Sequence, residues 1–233
     1  MKKILASIIA VVLAVSGLSV ISITANAATI FISGNYEYTV NSDDTVNIAG
    51  YKGIATDITI PSQILNKNVV KISANSFYNN STLTSVKIPN TIKVVGSMAF
   101  YGCKNLSSVT LPNTLTEIGY SAFNGTTALT TITIPKTVTK AGIDVFEDSG
   151  LKTATIENGA TTVADNLFSN AKNLTKVTIP NTVKKVGSMS FYGCKSLSSV
   201  TLPNTLTEIG YSAFNGTTAL TTITIPKTVT KAG

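Results

Sequence analysis

The chain has 233 residues, 43% hydrophobic and only 12% charged; all 18 basic residues are lysine and, set against 11 acidic residues, they leave a formal net charge of +7. It contains no His, Arg or Trp. The missing histidine excludes Ser-His-Asp and Cys-His nucleophiles and histidine-bearing metal sites, and dispersed lysines without arginine argue against a nucleic-acid partner.

Residues 1–27 read as a secretory signal. Lys2 and Lys3 form the charged start, Ile4 to Ile23 an apolar stretch interrupted by Ser and Gly, and Ala25-Asn26-Ala27 meets the small-x-small cleavage rule. The mature chain is therefore expected to begin near Ala28, with a formal charge lowered by two to +5. The competing reading is an uncleaved anchor, since the apolar run nears spanning length. The alanine-rich end favours cleavage, after which no segment of spanning length is left.

Residues 28–54 follow as a β-hairpin. Tyr36 to Val40 and Thr45 to Ile48 flank the polar turn Asn41-Ser-Asp-Asp44. The hairpin is predicted to be an N-terminal cap, because the first unit of a stacked array must cover the end of its core.

From residue 55 to 233 the chain repeats itself. Phe77, Phe100, Phe123, Phe146, Phe168, Phe191 and Phe214 recur every 23 residues with one step of 22, and Leu83, Leu106, Leu129, Leu151, Leu174, Leu197 and Leu220 keep the same spacing. Pro89, Pro112, Pro135, Pro180, Pro203 and Pro226 mark a third register, with Glu157 standing in once. About seven full units and a truncated one are counted. In the unit from Leu106 to Ala128, Val109 and Leu111 alternate with Ser108 and Thr110, which predicts a strand with one buried face. Pro112-Asn113 turns the chain, Leu115 and Ile118 point inward on the return path, and Gly119 bends where a side chain would crowd. Phe123 drops into the interior and Asn124-Gly125 closes the coil. One such unit cannot bury its own apolar side; a stack of them can.

Two units depart from the pattern. The first carries five extra residues around Leu65 to Val69, read as a surface loop. The unit starting at Leu151 has Glu157 for Pro and Ala164 for Gly, a change expected to bend the stack. Residues 174–233 match 83–142 at 54 of 60 positions, and the second copy stops before its Phe. The array is therefore expected to continue past Gly233.

Candidate chemistry is sparse. Cys103 and Cys194 lie four rungs apart, about 19 Å at a strand spacing near 4.8 Å, too far for a disulfide. They occupy the repeat position held elsewhere by Asn80, Thr126, Asp148, Ala171 and Thr217, which makes them small space-fillers. Asp144, Glu147 and Asp148 form one acidic cluster and Asp43-Asp44 sit in the hairpin turn; they read as a solvated loop or a weak calcium contact rather than paired catalytic acids, for which a solenoid side offers no obvious cleft. No cofactor and no catalytic residue are assigned.

The outward strand positions are the informative ones. They stack into two ranks, Ser85, Ser108, Thr131, Thr153, Lys176, Ser199 and Thr222 in one, Lys87, Thr110, Thr133, Thr155, Thr178, Thr201 and Thr224 in the other. Either threonine serves there as a good exposed strand former, or the ranks make a hydroxyl-rich binding platform. The second reading makes these residues the candidate binding face. Ice binding through the Thr-x-Thr pairs is a third reading, weakened by Lys87 and Lys176 in the ranks.

The pattern LxxVxLPxxLxxIGxxAFxxCxx, carried by Leu106, Val109, Leu111, Pro112, Leu115, Ile118, Gly119, Ala122 and Phe123 with Cys103 and Cys194, resembles the BspA-like bacterial leucine-rich repeats over residues 55–233. The resemblance implies a right-handed solenoid, mostly β with short helical or irregular return segments and a parallel sheet on one side. It also implies a secreted or cell-surface protein, not an enzyme, that adheres to a protein or glycoprotein surface of host or bacterial origin. The alternative is the targeting or spacer region of a longer secreted enzyme whose catalytic domain lies beyond Gly233.

Overall fold

The computed structural model of the chain describes residues 20–21 and 29–233; the expected leader over 1–27 lies, apart from Val20 and Ile21, outside the described residues. The repeats wind into a β-solenoid of about eight turns, with no helix among the described residues. The return segments are thus irregular rather than helical.

Each coil is built by its short alternating run. Ser108–Thr110 pairs in parallel with Ser85–Lys87, placing residue 108 beside 85 and 110 beside 87. On this front side Thr131–Ile134, Thr153–Ile156, Lys176–Thr178 and Ser199–Val200 form a second block of parallel strands. After the front strands a turn brings an N–H back to the proline carbonyl, as in Leu115 to Pro112 at 3.0 Å, or to Glu157 in the unit without proline, from Ala160 at 3.2 Å. The single expected sheet is joined by another on the return path. Two-residue strands such as Val94–Val95, Glu117–Ile118 and Lys140–Ala141 stack in parallel there, each with its ladder partners in the coils directly above and below.

On the third side the coils are linked between turns, for example Phe100 N–H to the Ala122 carbonyl at 2.8 Å. The phenylalanines stack inside this side, Phe77 to Phe100 at 4.9 Å between ring centroids and Phe100 to Phe123 at 5.3 Å. All but Phe214 are buried. The leucines of the 23-residue register from Leu83 to Leu197 are wholly buried with them. Burial of a large apolar side chain contributes about 1.5–3 kcal/mol, so several stacked rungs offset a backbone entropy that one rung cannot.

Many threonines outside the front ranks have a structural task. Thr114 Oγ1 donates to the Ile92 carbonyl at 2.8 Å, Thr137 to Leu115 at 2.6 Å, Thr182 to Ala160 at 2.7 Å and Thr205 to Val183 at 2.8 Å. Thr116, Thr175 and Thr207 do the same elsewhere on the coil. Each hydroxyl bonds one coil to its predecessor.

The glycine register decides how closely coils approach. A Cβ at Gly119 would lie 2.4 Å from the Ser97 nitrogen, and one at Gly142 would lie 2.3 Å from the Tyr120 nitrogen. In return Gly119 and Gly142 donate their N–H to the Val95 and Ile118 carbonyls at 2.7 and 2.8 Å. Ala164 stands in this register, and there the return-path ladder is interrupted: Lys140–Ala141 ends one sheet and Thr162–Val163 begins another. Phe146 and Phe168 flank the same junction and are the most widely spaced pair of the phenylalanine stack, 5.8 Å apart and tilted by 24°. The front strands remain paired there, Thr131 to Thr153 through Ile134 to Ile156. The expected disturbance at this unit is thus an opening that spares the front strands and coincides with alanine in the glycine register; on the third side too Asp144 N–H bonds the Ser169 hydroxyl rather than a carbonyl of the next coil.

The insertion in the first unit is ordered as a hairpin, not a loop. Gln63–Ile64 pairs antiparallel with Lys67 and Asn68 across Leu65 and Asn66, both left-handed at φ 50° and 62°, the geometry of a tight two-residue turn. Ile64 and Val69 are buried while Leu65 is exposed. Upstream, Ile30–Ser33, Tyr36–Val40 and Val46–Tyr51 form an antiparallel meander whose last strand continues in parallel into Lys67–Ile72. The strand Ile30–Ser33 adds to the hairpin read from sequence and pairs with Val20–Ile21. Tyr38, Val46 and Ile48 join the common core, and Tyr51 packs against Phe77 with ring centroids 5.5 Å apart and planes tilted by 32°.

Candidate functional site

The front ranks lie where their alternation places them. Ser85 sits beside Ser108 in strand register, and Thr131 beside Thr153, Lys176 and Ser199, as do Lys87 with Thr110 and Thr133 with Thr155 and Thr178. All are exposed except Ser85, which is half-buried. Thr201, Thr222 and Thr224 are exposed but belong to no paired strand. The ranks also reach one rung further back than the sequence reading took them, to Asp57 and Thr59 beside Ser85 and Lys87. The extra hairpin residues hid that rung, because they displace its repeat register.

Apart from Asp57, whose carboxylate accepts from the Thr56 and Thr84 hydroxyls at 3.2 Å, no side chain of these ranks takes part in a hydrogen bond within the described residues, whereas Ser107, Thr116, Thr127, Thr175, Thr207 and Thr218 all bond a carbonyl of the preceding coil. The difference separates two classes of hydroxyl that composition cannot distinguish. The front hydroxyls, both donors and acceptors, face solvent with their bonding capacity unused by the fold.

The face is not a continuous plane. Ser108–Thr110 and Thr131–Ile134 belong to different sheets, and a groove of about 530 Å³ opens between them. Its walls are Ser107 to Leu111 on one side and Thr131 to Thr133 on the other, with Asn113, Pro135 and Glu157 at one end. A second groove, about 350 Å³, lies between Ser198 to Leu202 and Thr222 to Thr224, with Asn204 and Pro226 in the places of Asn113 and Pro135. A cleft was not expected from the repeat pattern, since the break is made by coil spacing and not by any single residue type.

The other candidates resolve into structure. Asp144 accepts from Asn170 Nδ2 at 2.9 Å, Glu147 from Asn124 Nδ2 at 3.2 Å, and Lys172 Nζ lies 3.5 Å from Glu147 and 3.1 Å from Asp148. Asp43 accepts from the Thr45 N–H and hydroxyl, and Asp44 pairs with Lys67. Cys103 and Cys194 are both free and wholly buried, and their thiols donate to the Phe77 and Phe168 carbonyls at 3.0 Å. Burial pushes both thiols up to about 12. They are space-fillers, with one correction: the matching residue in the short unit is Ser149, which bonds the Phe146 carbonyl as Thr126 bonds Phe123, and not Asp148. The missing residue falls between Phe146 and Leu151, so counting back from leucine shifts the register by one. Exposed aromatics lie off the front face, at Tyr78, Tyr120, Tyr192 and Tyr211; Tyr78 and Tyr101 stack at 5.1 Å.

The repeat geometry meets a known family here. A family model described as BspA type leucine rich repeat region, in six copies, matches residues 54–175 and 161–233. This chain belongs to the BspA-type leucine-rich-repeat family. The BspA-type chain is 36% identical to a leucine rich cell surface protein of Faecalibacterium prausnitzii, with a TM-score of 0.68 over 85% of this chain and 55% of that one. It therefore spans about half the length of that relative. A leucine-rich repeat protein of Bacteroides ovatus, 24% identical, superposes with a TM-score of 0.61 over 87% of this chain and 61% of that one. The leucine rich repeat protein of T. pallidum, 23% identical, gives 0.54 over 80% and 88%. These last two share the fold. No curated protein sequence matches the chain. Among the described residues no helix is long and apolar enough to cross a membrane.

Proposed function

We propose that the chain is the binding region of a secreted or cell-surface protein, that it recognises a protein or glycoprotein surface through its front face, and that it carries no catalytic activity. In this reading residues 1–27 are the export signal, 28–54 the cap and 55–233 the recognition array. One observation carries the assignment of the face: the fold uses many of its other hydroxyls as inter-coil bonds and leaves every hydroxyl of the front ranks unused. Solenoids present extended surfaces of this kind to macromolecular partners, and the F. prausnitzii relative is a cell surface protein by description. The front face has none of the aromatic or arginine anchors that dominate tight interfaces, so affinity per site is modest and gains from repetition.

The test is a paired substitution, Thr133→Glu with Thr155→Glu. Both residues are exposed, so the coil persists, while two buried and unpaired charges at an interface weaken binding by about tenfold or more. Partners captured from host or bacterial surface extracts by the parent chain should be lost by the double variant. Full retention of every partner would move the site to another face.

A further inference from the structure

The two front-face grooves are duplicate openings in an otherwise regular ladder. Elsewhere on this face the Thr84 carbonyl accepts from the Ser107 and Ser108 N–H groups at 2.9 and 3.2 Å, and the Thr130 carbonyl from Lys152 and Thr153 at 2.9 and 3.2 Å. Among the described residues no such bond joins the Ser107 carbonyl to Thr130 or Thr131, nor the Ser198 carbonyl to Thr221 or Thr222. The return paths of the same coils stay bonded, Thr139 N–H to Thr116 at 3.1 Å and Thr230 N–H to Thr207 at 3.0 Å. The coils are therefore in place and only their front edges part.

Each opening sets carbonyls of one strand opposite N–H groups of the next, under a fringe of front-rank hydroxyls and over an aliphatic floor that includes Val109 and Ile132 in the first groove and Val200 and Ile223 in the second. A ligand that joins the two rows must accept and donate from the same small group. A hydroxyl does both; a carboxylate only accepts and an ammonium only donates. A peptide strand is the other natural guest of open backbone groups, but it needs about 9.6 Å between the strands it enters, twice the ladder spacing. The Cα atoms of Ser108–Thr110 and Thr131–Ile134 approach within 8 Å. The first gap thus admits hydroxyls and not a strand, and the second has the same residues at equivalent positions. Charge agrees: the first groove holds one carboxylate, Glu157, the second holds none, and neither holds a lysine.

We propose that these two grooves are duplicate sites for a neutral polyhydroxylated polymer, a glycan chain or the glycan of a glycoprotein, held by the front hydroxyls together with unpaired backbone groups. The proposal rests on the front face being the binding surface. Their separation of four coils, about 19 Å, makes the chain bivalent toward one long polymer, and two linked weak sites raise its overall affinity on the order of a hundredfold.

The experiment uses the full chain. Immobilised amylose, laminarin, mannan, galactan and inulin are screened for retention, and fragments of a retaining polymer too short to span about 19 Å are titrated by calorimetry. Retention on at least one polymer is expected, with two fragment sites per chain. Thr131→Val with Thr133→Val should leave one site and weaken polymer binding on the order of a hundredfold; adding Thr222→Val and Thr224→Val should abolish it. Thr178→Val, on the closed part of the face, should change nothing. Circular dichroism of each variant checks that the exposed substitutions leave the coil folded. No retention on any of the five polymers, or unaltered retention by the folded quadruple variant, overturns the proposal. If glycan binding is absent while a protein partner is still lost on Thr133→Glu with Thr155→Glu, the glycan assignment fails and the front-face reading stands. If that partner is also unaffected, both fail.

Discussion

The register of close approach at glycine can be tested by exchanging its residues. Gly119→Ala puts a methyl 2.4 Å from the Ser97 nitrogen and 2.6 Å from the Gly96 carbonyl carbon, atoms of backbone that cannot rotate away. Gly119 has no left-handed φ, so alanine meets no backbone penalty and the steric effect stands alone. Relief requires the return path to part as it does at Ala164, which breaks three bonds: Thr116 and Glu117 N–H to the Lys93 carbonyl at 2.9 and 3.3 Å, and Gly119 N–H to Val95 at 2.7 Å. At about 0.5–1.5 kcal/mol each, offset by about 0.4–1 kcal/mol from a stiffer unfolded chain, the net loss is about 0.5–4 kcal/mol, centred on about 2 kcal/mol. Ala164→Gly is the reciprocal change and should restore a ladder bond between residue 164 and the Ala141 carbonyl. Array proteins unfold rung by rung more readily than in one step, so amide exchange read per residue is the apt assay. Protection at Thr116, Glu117 and Gly119 should fall by about tenfold to a hundredfold in Gly119→Ala, at roughly 1.4 kcal/mol per tenfold, and protection at residues 162–164 should rise in Ala164→Gly. Unchanged protection in both variants would refute the view that this one methyl opens the coil.

Further outcomes follow from single buried groups. Ser190 Oγ is the buried side-chain oxygen without a hydrogen-bond partner among the described residues, and the matching position of the earlier copy is Ala99, also wholly buried. Ser190→Ala should therefore raise stability by about 1–3 kcal/mol, the cost of a buried unsatisfied group; a lower urea midpoint would contradict this. The thiols of Cys103 and Cys194 rise on folding from an ordinary 9.0 to about 12, and burial with the neighbouring Tyr51 lifts Tyr36 from 10.0 to about 12. Folded values above unfolded ones mean stability that is intact below pH 9 and lost as pH climbs toward 12. Thermal scans across pH 8 to 12 should show that decline, and it should be shallower in Cys103→Ala with Cys194→Ala; a flat profile for the parent chain would count against burial of these groups. Both thiols should also resist alkylation at pH 8 until denaturant is added, since only the thiolate reacts.

Much of this protein is written in local spacing. The phenylalanine, leucine and proline registers, the alternation of Val109 and Leu111 with Ser108 and Thr110, and the hairpin from Tyr36 onward are patterns of neighbours along the chain, and period 2 or period 23 converts directly into buried and exposed sides. The same spacing put the front ranks in file and kept Cys103 from Cys194. What spacing could not carry is the distance between coils, which arises from contacts about 23 residues apart. Whether a threonine bonds the preceding carbonyl, as Thr116 does, or faces solvent unused, as Thr133 does, depends on the coil beside it. The five extra residues became a hairpin because Ile64 and Val69 found core to enter. The return-path ladder parts at the coil that carries Ala164 in the glycine register, and the front ladder parts at Ser107 and Ser198, giving the face its grooves. Sequence determined what each coil is; only packing of coil on coil decided where the face is closed and where it is open, since that packing sums steric contacts and hydrogen bonds between residues that the chain itself keeps far apart.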